Sequence, residues 1–221
     1  MGRPVTGAPP RPVVPGSLGM LGGTFDPVHL GHLALAEEAR EALGLERVVF
    51  VPAGLPPHKP DREITAPAHR LAMLECAIAD NPAFAVSRVE IDRAGPSWTI
   101  DTVDALIAGP GAPVDLTVIV AAELFATLTT WREPERILRL ARLAVAPRAG
   151  YPAPSRLFVA EHFPGLEDRV TFLDGPHLGV SATTIRARAA AGRSIRYYVP
   201  SAVAAYIGDH ALYTDPLWRK N

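Results

Sequence analysis

The 221-residue chain has one cysteine, Cys76, and two lysines, Lys59 and Lys220. A single thiol excludes an internal disulfide framework and suits a reducing, cytoplasmic compartment. No apolar run approaches the roughly 20 residues that a membrane-spanning helix needs. The net charge of −1 supplies no broad basic surface for nucleic acid, although a local basic pocket remains compatible with it. Two glycine fingerprints are also missing. Without Gly-x-Gly-x-x-Gly the chain is not a dehydrogenase-type dinucleotide binder, and without Gly-x-x-x-x-Gly-Lys-Ser/Thr it is not a P-loop protein. Residues 1–16 lack the apolar stretch of a signal peptide; with Arg3, Arg11 and five prolines they read as a disordered leader. Residues 216–221 read as a tail.

What is present is an ordinary globule, 48% hydrophobic and 20% charged, long enough for one domain over 17–215. Apolar segments at 18–21, 47–51, 84–91, 116–120, 143–146 and 170–173 read as strands. Helical patterns fall at 30–43, 100–107, 134–140, 183–191 and 201–209. In the first of these, Leu33, Ala36 and Leu43 face inward and Gly44 stops the helix. Thr65 caps a further helix, with Pro67 in its first turn and Leu71, Leu74 and Ile78 buried. Short apolar strands alternating with helices predict an α/β fold with a parallel sheet covered on both faces, ending in a small helical part from about residue 181. Ligands in such folds sit at the carboxyl ends of the strands.

The segment Gly22-Gly23-Thr24-Phe25-Asp26-Pro27-Val28-His29-Leu30-Gly31-His32 lies between the first strand and the first helix. Glycines admit backbone N–H groups close to an anion, and a helix N-terminus favours negative charge, so this order suits a phosphate. His29 and His32 share one side of the first turn. A metal-binding role for the pair would require a third ligand, and none stands nearby in sequence. Asp26 reads as a turn residue, Arg70 as a helix-surface ion-pair partner, and Lys59 as a flexible charge on the long proline-rich loop 52–67. Arg186 falls in the first turn of a helix that Ser181 or Thr183 could cap. Trp218, His69, His162, His177 and His210 carry no motif.

The eleven-residue segment resembles the signature of the nucleotidyltransferase superfamily at every fixed position. Ser97-Trp98-Thr99-Ile100-Asp101-Thr102, Thr130-Trp131-Arg132-Glu133, Ser181-Ala182-Thr183-Thr184-Ile185-Arg186 and Ser194-Ile195-Arg196-Tyr197-Tyr198-Val199-Pro200 follow in family order, with Tyr206-Ile207 and Leu212-Tyr213 after them. Together they resemble the bacterial nicotinate-nucleotide adenylyltransferases from about Leu18 to Tyr213, and the tryptophan segments separate these from phosphopantetheine adenylyltransferase. The resemblance implies a Rossmann-like nucleotidyltransferase fold. It also implies adenylyl transfer from ATP to nicotinate mononucleotide, giving nicotinate adenine dinucleotide and pyrophosphate, with Mg²⁺ sharing the charge.

By the same resemblance, His29, His32, Lys59 and Arg186 are the catalytic set. Gly22, Gly23, Thr24, Phe25, Glu123, Ser181 and Thr183 join His29, His32 and Arg186 around ATP. Thr24, Lys59, Trp98, Thr99 and Trp131 hold nicotinate mononucleotide. Neither nucleic acid nor a membrane is an implied partner, and the assembly is open between monomer and homo-oligomer. Three positions depart from the family pattern. Ala121-Ala122-Glu123 stands for Gly-x-Asp, Ala182 for a serine, and Arg132 for the aromatic residue of some relatives. Ala121-Ala122-Glu123 and Ala182 keep one alternative in play, a nucleotide-binding regulatory homologue with weak or lost turnover. A second, an enzyme preferring the amide mononucleotide, turns on which donors meet the ring carboxylate, which the sequence does not locate.

Overall fold

The computed structural model describes residues 11–56, 63–109, 111–215 and 218. Six strands, β1 (Val14–Gly23), β2 (Leu45–Pro52), β3 (Phe84–Val86), β4 (Asp115–Ala121), β5 (Arg142–Ala146) and β6 (Val170–Phe172), form one sheet. All neighbours are parallel, in the order β3-β2-β1-β4-β5-β6. Helices α1 (Leu30–Leu43), α2 (Pro67–Ile78), α3 (Thr99–Ala108), α4 (Ala122–Phe125), α5 (Pro134–Leu140), α6 (Arg156–His162), α7 (Ala182–Ala190) and α8 (Ser201–Asp209) complete the described chain. The Rossmann-like arrangement expected from the sequence is the one observed.

The strands are apolar on both sides because each side has its own core. On β2, Val48 and Phe50 pack with α1, α2 and α8, whereas Val49 and Val51 pack with α3, α5 and α6. Strand order reverses between β1 and β4, whose carboxyl ends therefore border a crevice, the expected ligand position for this topology. Helix α1 has the anticipated bounds, and Gly44 ends it in the left-handed conformation (φ 66°) with its N–H bonded to Arg40 O and Glu41 O. Its buried stripe is Leu35, Ala36 and Ala39 rather than one built on Leu33 and Leu43.

Other expectations need correction. β1 starts at Val14, inside the supposed leader: Val14 N–H bonds Gly44 O, and Gly16 N–H bonds Glu46 Oε2 at 2.5 Å. The third strand keeps only Phe84–Val86 of the expected 84–91. Ala66, not Thr65, is the α2 N-cap; the Thr65 N–H donates instead to Asp26 Oδ2. Arg70 is not on the helix surface but 1% exposed, its Nε donating to Thr65 O and its Nη1 to Thr24 O. Trp218, given only to the tail, is buried within the core between the sheet and the C-terminal helices. Helices α4 and α6 had no counterpart in the sequence reading.

Candidate functional site

The glycine segment turns sharply where β1 ends. Phe25 adopts a left-handed backbone (φ 51°) although it carries a side chain, and its buried ring packs edge-on against His32 at 4.9 Å and beside Phe50 at 5.8 Å. A Cβ on Gly23 would come within 3.1 Å of that ring, so glycine is needed there for close approach. The loop is fastened from several directions. Arg70 Nη1 holds Thr24 O, Arg186 Nη1 holds Asp26 O at 2.6 Å, and the Tyr213 hydroxyl donates to Asp26 Oδ1 at 2.7 Å. Burial together with the Asp26 charge raises the Tyr213 hydroxyl far above the usual tyrosine range, so it stays a proton donor at all working pH values.

His29 caps α1 from an extended backbone, and the two imidazoles stack at 3.6 Å and 16°. His29 N–H donates to His32 Nδ1 at 3.2 Å. Neutral His32 therefore carries its proton on Nε2. His29 is buried, its Nδ1 has no hydrogen-bond partner among the described residues, and its pKa is lowered to about 4. Burial is the larger cause and the Arg148 charge the second. His29 is thus neutral at pH 7.

Two cavities meet at Thr24. The larger, about 580 Å³, is lined by Gly22, Gly23 and Thr24 from β1 and its turn, Trp98 and Thr99 from the start of α3, and Glu123, Trp131 and Arg132 beyond β4. The smaller, about 130 Å³, is lined by Thr24, Phe25, Asp26, His32, Ile64, Ala182, Thr183 and Arg186. Arg186 is 4% exposed; its Nη2 donates to Thr183 Oγ1. Helix α7 directs its N-terminus here, capped by Ser181 Oγ, which accepts from Thr184 N–H.

Sequence-predicted residues thus divide between the cavities. His32, Phe25, Thr183 and Arg186 line the small one, and Gly22, Gly23, Trp98, Thr99 and Trp131 the large one, with Thr24 in both. Glu123, expected beside ATP, shares the large cavity with the tryptophans; its Oε1 is 3.6 Å from Arg148 Nε, and its shielded Oε2 has no hydrogen-bond partner among the described residues. His29 and Ser181 line neither cavity: His29 backs His32, and Ser181 caps the helix. Lys59 lies outside the described residues. Arg148, just past β5, was not singled out from the sequence, and Arg70 was placed on the helix surface rather than behind the turn. A basic residue following an apolar strand at the sheet's carboxyl edge was the available signal for Arg148.

Among the described residues no group of three His, Cys, Asp or Glu side chains comes together to hold a metal ion. Asp26, the carboxylate of the small cavity, already accepts from Tyr213 and the Thr65 amide. The donor set does not fit a resident magnesium site.

A parallel sheet with this strand order and a phosphate-sized polar cavity beside a larger one define a nucleotidyl-transfer fold, and the cytidylyltransferase-like family profile matches residues 20–188. The chain is 50% identical to a probable nicotinate-nucleotide adenylyltransferase of Roseiflexus sp. (strain RS-1), over 89% of this chain and 97% of that one. It is 45% identical to the protein of that name from Thermomicrobium roseum, over 89% and 91%. The chain belongs to this family of nicotinate-nucleotide adenylyltransferases. A solved Plasmodium falciparum nicotinic acid mononucleotide adenylyltransferase complexed with NaAD superposes with a TM-score of 0.72 at 16% identity, over 91% of this chain and 98% of that one, which is a likeness of fold.

Proposed function

We propose that the protein transfers the adenylyl group of ATP to nicotinate mononucleotide. The observation that carries this reading is the junction at Thr24 of a large, aromatic-walled cavity with a small, polar one lined by His32, Arg186 and the start of α7. A dinucleotide product needs both environments within one phosphate's reach.

The mononucleotide phosphate oxygen attacks the α-phosphorus of ATP. One P–O bond forms while the bond to the bridging oxygen of the β-phosphate breaks, and pyrophosphate leaves with that electron pair. The attacking phosphate is already anionic, so no protein base is required. The protein aligns two polyanions and stabilises charge that grows on the leaving group. His32 donates from Nε2, Arg186 supplies a fixed positive charge, and the α7 N-terminus adds its partial charge. His29 acts through His32, and Lys59 approaches from the loop. In the large cavity Trp98 and Trp131 face the pyridine ring, and the N-terminus of α3 at Trp98–Thr99 favours a ring carboxylate over an amide. Glu123 accepts from a ribose hydroxyl. Magnesium would come with the triphosphate and share its negative charge, since the described side chains offer it no resident site. The described residues include no helix long and apolar enough to cross a membrane, and we place this chemistry in the cytoplasm.

The test is pyrophosphate release from ATP and Mg²⁺ with either mononucleotide. Release with the acid and much less with the amide is expected. Absence of release with both would leave only a binding protein, and equal rates would remove the role given to the α3 N-terminus.

A further inference from the structure

Trp218 belongs to none of the motifs, yet it is 6% exposed and lies against the guanidinium of Arg186, 4.9 Å from the ring centroid. Tyr213 meets the same indole edge-on, at 5.4 Å and 90°. The Tyr213 hydroxyl holds Asp26 Oδ1, and the peptide oxygen of Asp26 accepts from Arg186 Nη1. Arg186, Asp26, Tyr213 and Trp218 therefore form a closed ring of contacts behind the small cavity. We propose that Trp218, braced by Tyr213, is a positioning residue: it fixes the Arg186 guanidinium and so sets the affinity of the small cavity for a polyphosphate.

Arg186 is constrained on its edges by Asp26 O and Thr183 Oγ1, and on its face by the indole. A guanidinium held this way enters a phosphate contact with little rotamer freedom left to lose. Stacking on an indole also suits a desolvated arginine, because the ring face is electron-rich. Tyr213 itself sits in the left-handed region (φ 61°), a conformation kept for a tyrosine only where its surroundings hold it. The C-terminal segment thus reaches the anion site from behind without lining it, since neither Tyr213 nor Trp218 borders the small cavity.

The proposal rests on the reading that the small cavity takes the triphosphate. The competing role for Trp218 is simple core packing, because it belongs to the same apolar cluster as Ile207 and Val203. Titration calorimetry with inorganic triphosphate and with ATP separates the two. Trp218→Phe keeps an aromatic face and is expected within about twofold of wild type; Trp218→Leu leaves a smaller apolar side chain without that face and is expected to bind both ligands about five- to tenfold more weakly, the Arg186→Gln background separating loss of the face from loss of volume. Affinity for nicotinate mononucleotide should not change. In an Arg186→Gln background, Trp218→Leu should have no further effect, which a packing role would not produce. A chain ending at Asp215 is the second variant and must show the same loss. Unchanged triphosphate binding by Trp218→Leu, an equal loss in the Arg186→Gln background, or failure of both tail variants to fold would overturn the proposal while leaving the small-cavity reading intact. Absence of triphosphate binding by the wild-type protein would overturn both.

Discussion

At the scale of single residues, the two motif histidines are not equivalent. His32 faces the small cavity with its Nδ1 already engaged by the His29 amide, so its Nε2–H is aimed by a contact formed before ligand arrives. Removing one preorganised donor from a charge-stabilising site costs roughly 10²–10³ in turnover. His32→Ala should lose that much kcat in the pyrophosphate assay and retain its thermal melting temperature within a few degrees; near-full activity would sink its assignment. His29 has a different signature. Its pKa is about 4 in the folded protein against 6.5 ordinarily, so the unfolded chain binds more protons between these values. The stability it contributes is complete above pH 6.5 and is lost as the pH falls toward 4, on the order of 3 kcal/mol in all. Urea unfolding at pH 7 and pH 4.5 should show a steeper loss for wild type than for His29→Gln. Parallel losses would mean that the imidazole does not titrate as its burial implies. Arg148 contributes to the same depression, and because it stands in sequence more than a hundred positions from His29, only the packed sheet brings the guanidinium near the imidazole.

At the scale of elements, the end of β1 makes a sharper claim about the turn than composition does. The two adjacent glycines there have opposite surroundings. A Cβ at Gly22 meets nothing within 4 Å and projects into the large cavity, whereas one at Gly23 presses on the buried Phe25 ring at 3.1–3.3 Å. Gly22→Ala should therefore leave stability unchanged or slightly raised while weakening mononucleotide binding. Gly23→Ala should destabilise by about 1–3 kcal/mol, because Phe25 is pinned and cannot yield cheaply. Thermal melts and substrate KM values distinguish them, and equal effects of the two substitutions would contradict the geometry. This asymmetry was not legible in the sequence, where both glycines share one motif role. What was legible had a strong local cause. Helix α1 is bounded by a glycine motif and a left-handed Gly44, and β4 and β5 are continuous apolar runs needing cover on both faces. The third strand was over-read because Val89 and Ile91 continue the apolar pattern, whereas pairing with β2 ends at the Ser87 N–H to Phe50 O bond and residues 89–91 form a turn. Helix α6 was passed over because its buried face is a single residue, Val159. Arg70 was misplaced because an arginine at a helix start normally points to water. Here the carbonyls of Thr24 and Thr65 take its donors, and those partners exist only in the folded chain.

At the scale of the whole molecule, one hydrogen bond joins the ends of the fold. Tyr213 and Asp26 are 187 residues apart in sequence, and their contact is buried. Closing a loop of that length carries a large entropic cost, which is met only after the intervening sheet and helices have drawn the ends together. The bond should accordingly form after the folding transition state. Tyr213→Phe removes the hydroxyl and leaves Asp26 Oδ1 shielded without its donor, a loss of about 1–3 kcal/mol. A contact absent from the transition state transmits that loss to the unfolding rate alone. Chevron analysis of Tyr213→Phe should thus show faster unfolding, roughly five- to 160-fold by that range, with refolding unchanged. The same substitution at Tyr206, whose hydroxyl among the described residues bonds the half-buried His69, should move neither limb appreciably. Slower refolding of Tyr213→Phe would instead place the chain ends together early, and the anion site would then be organised before the sheet that carries it.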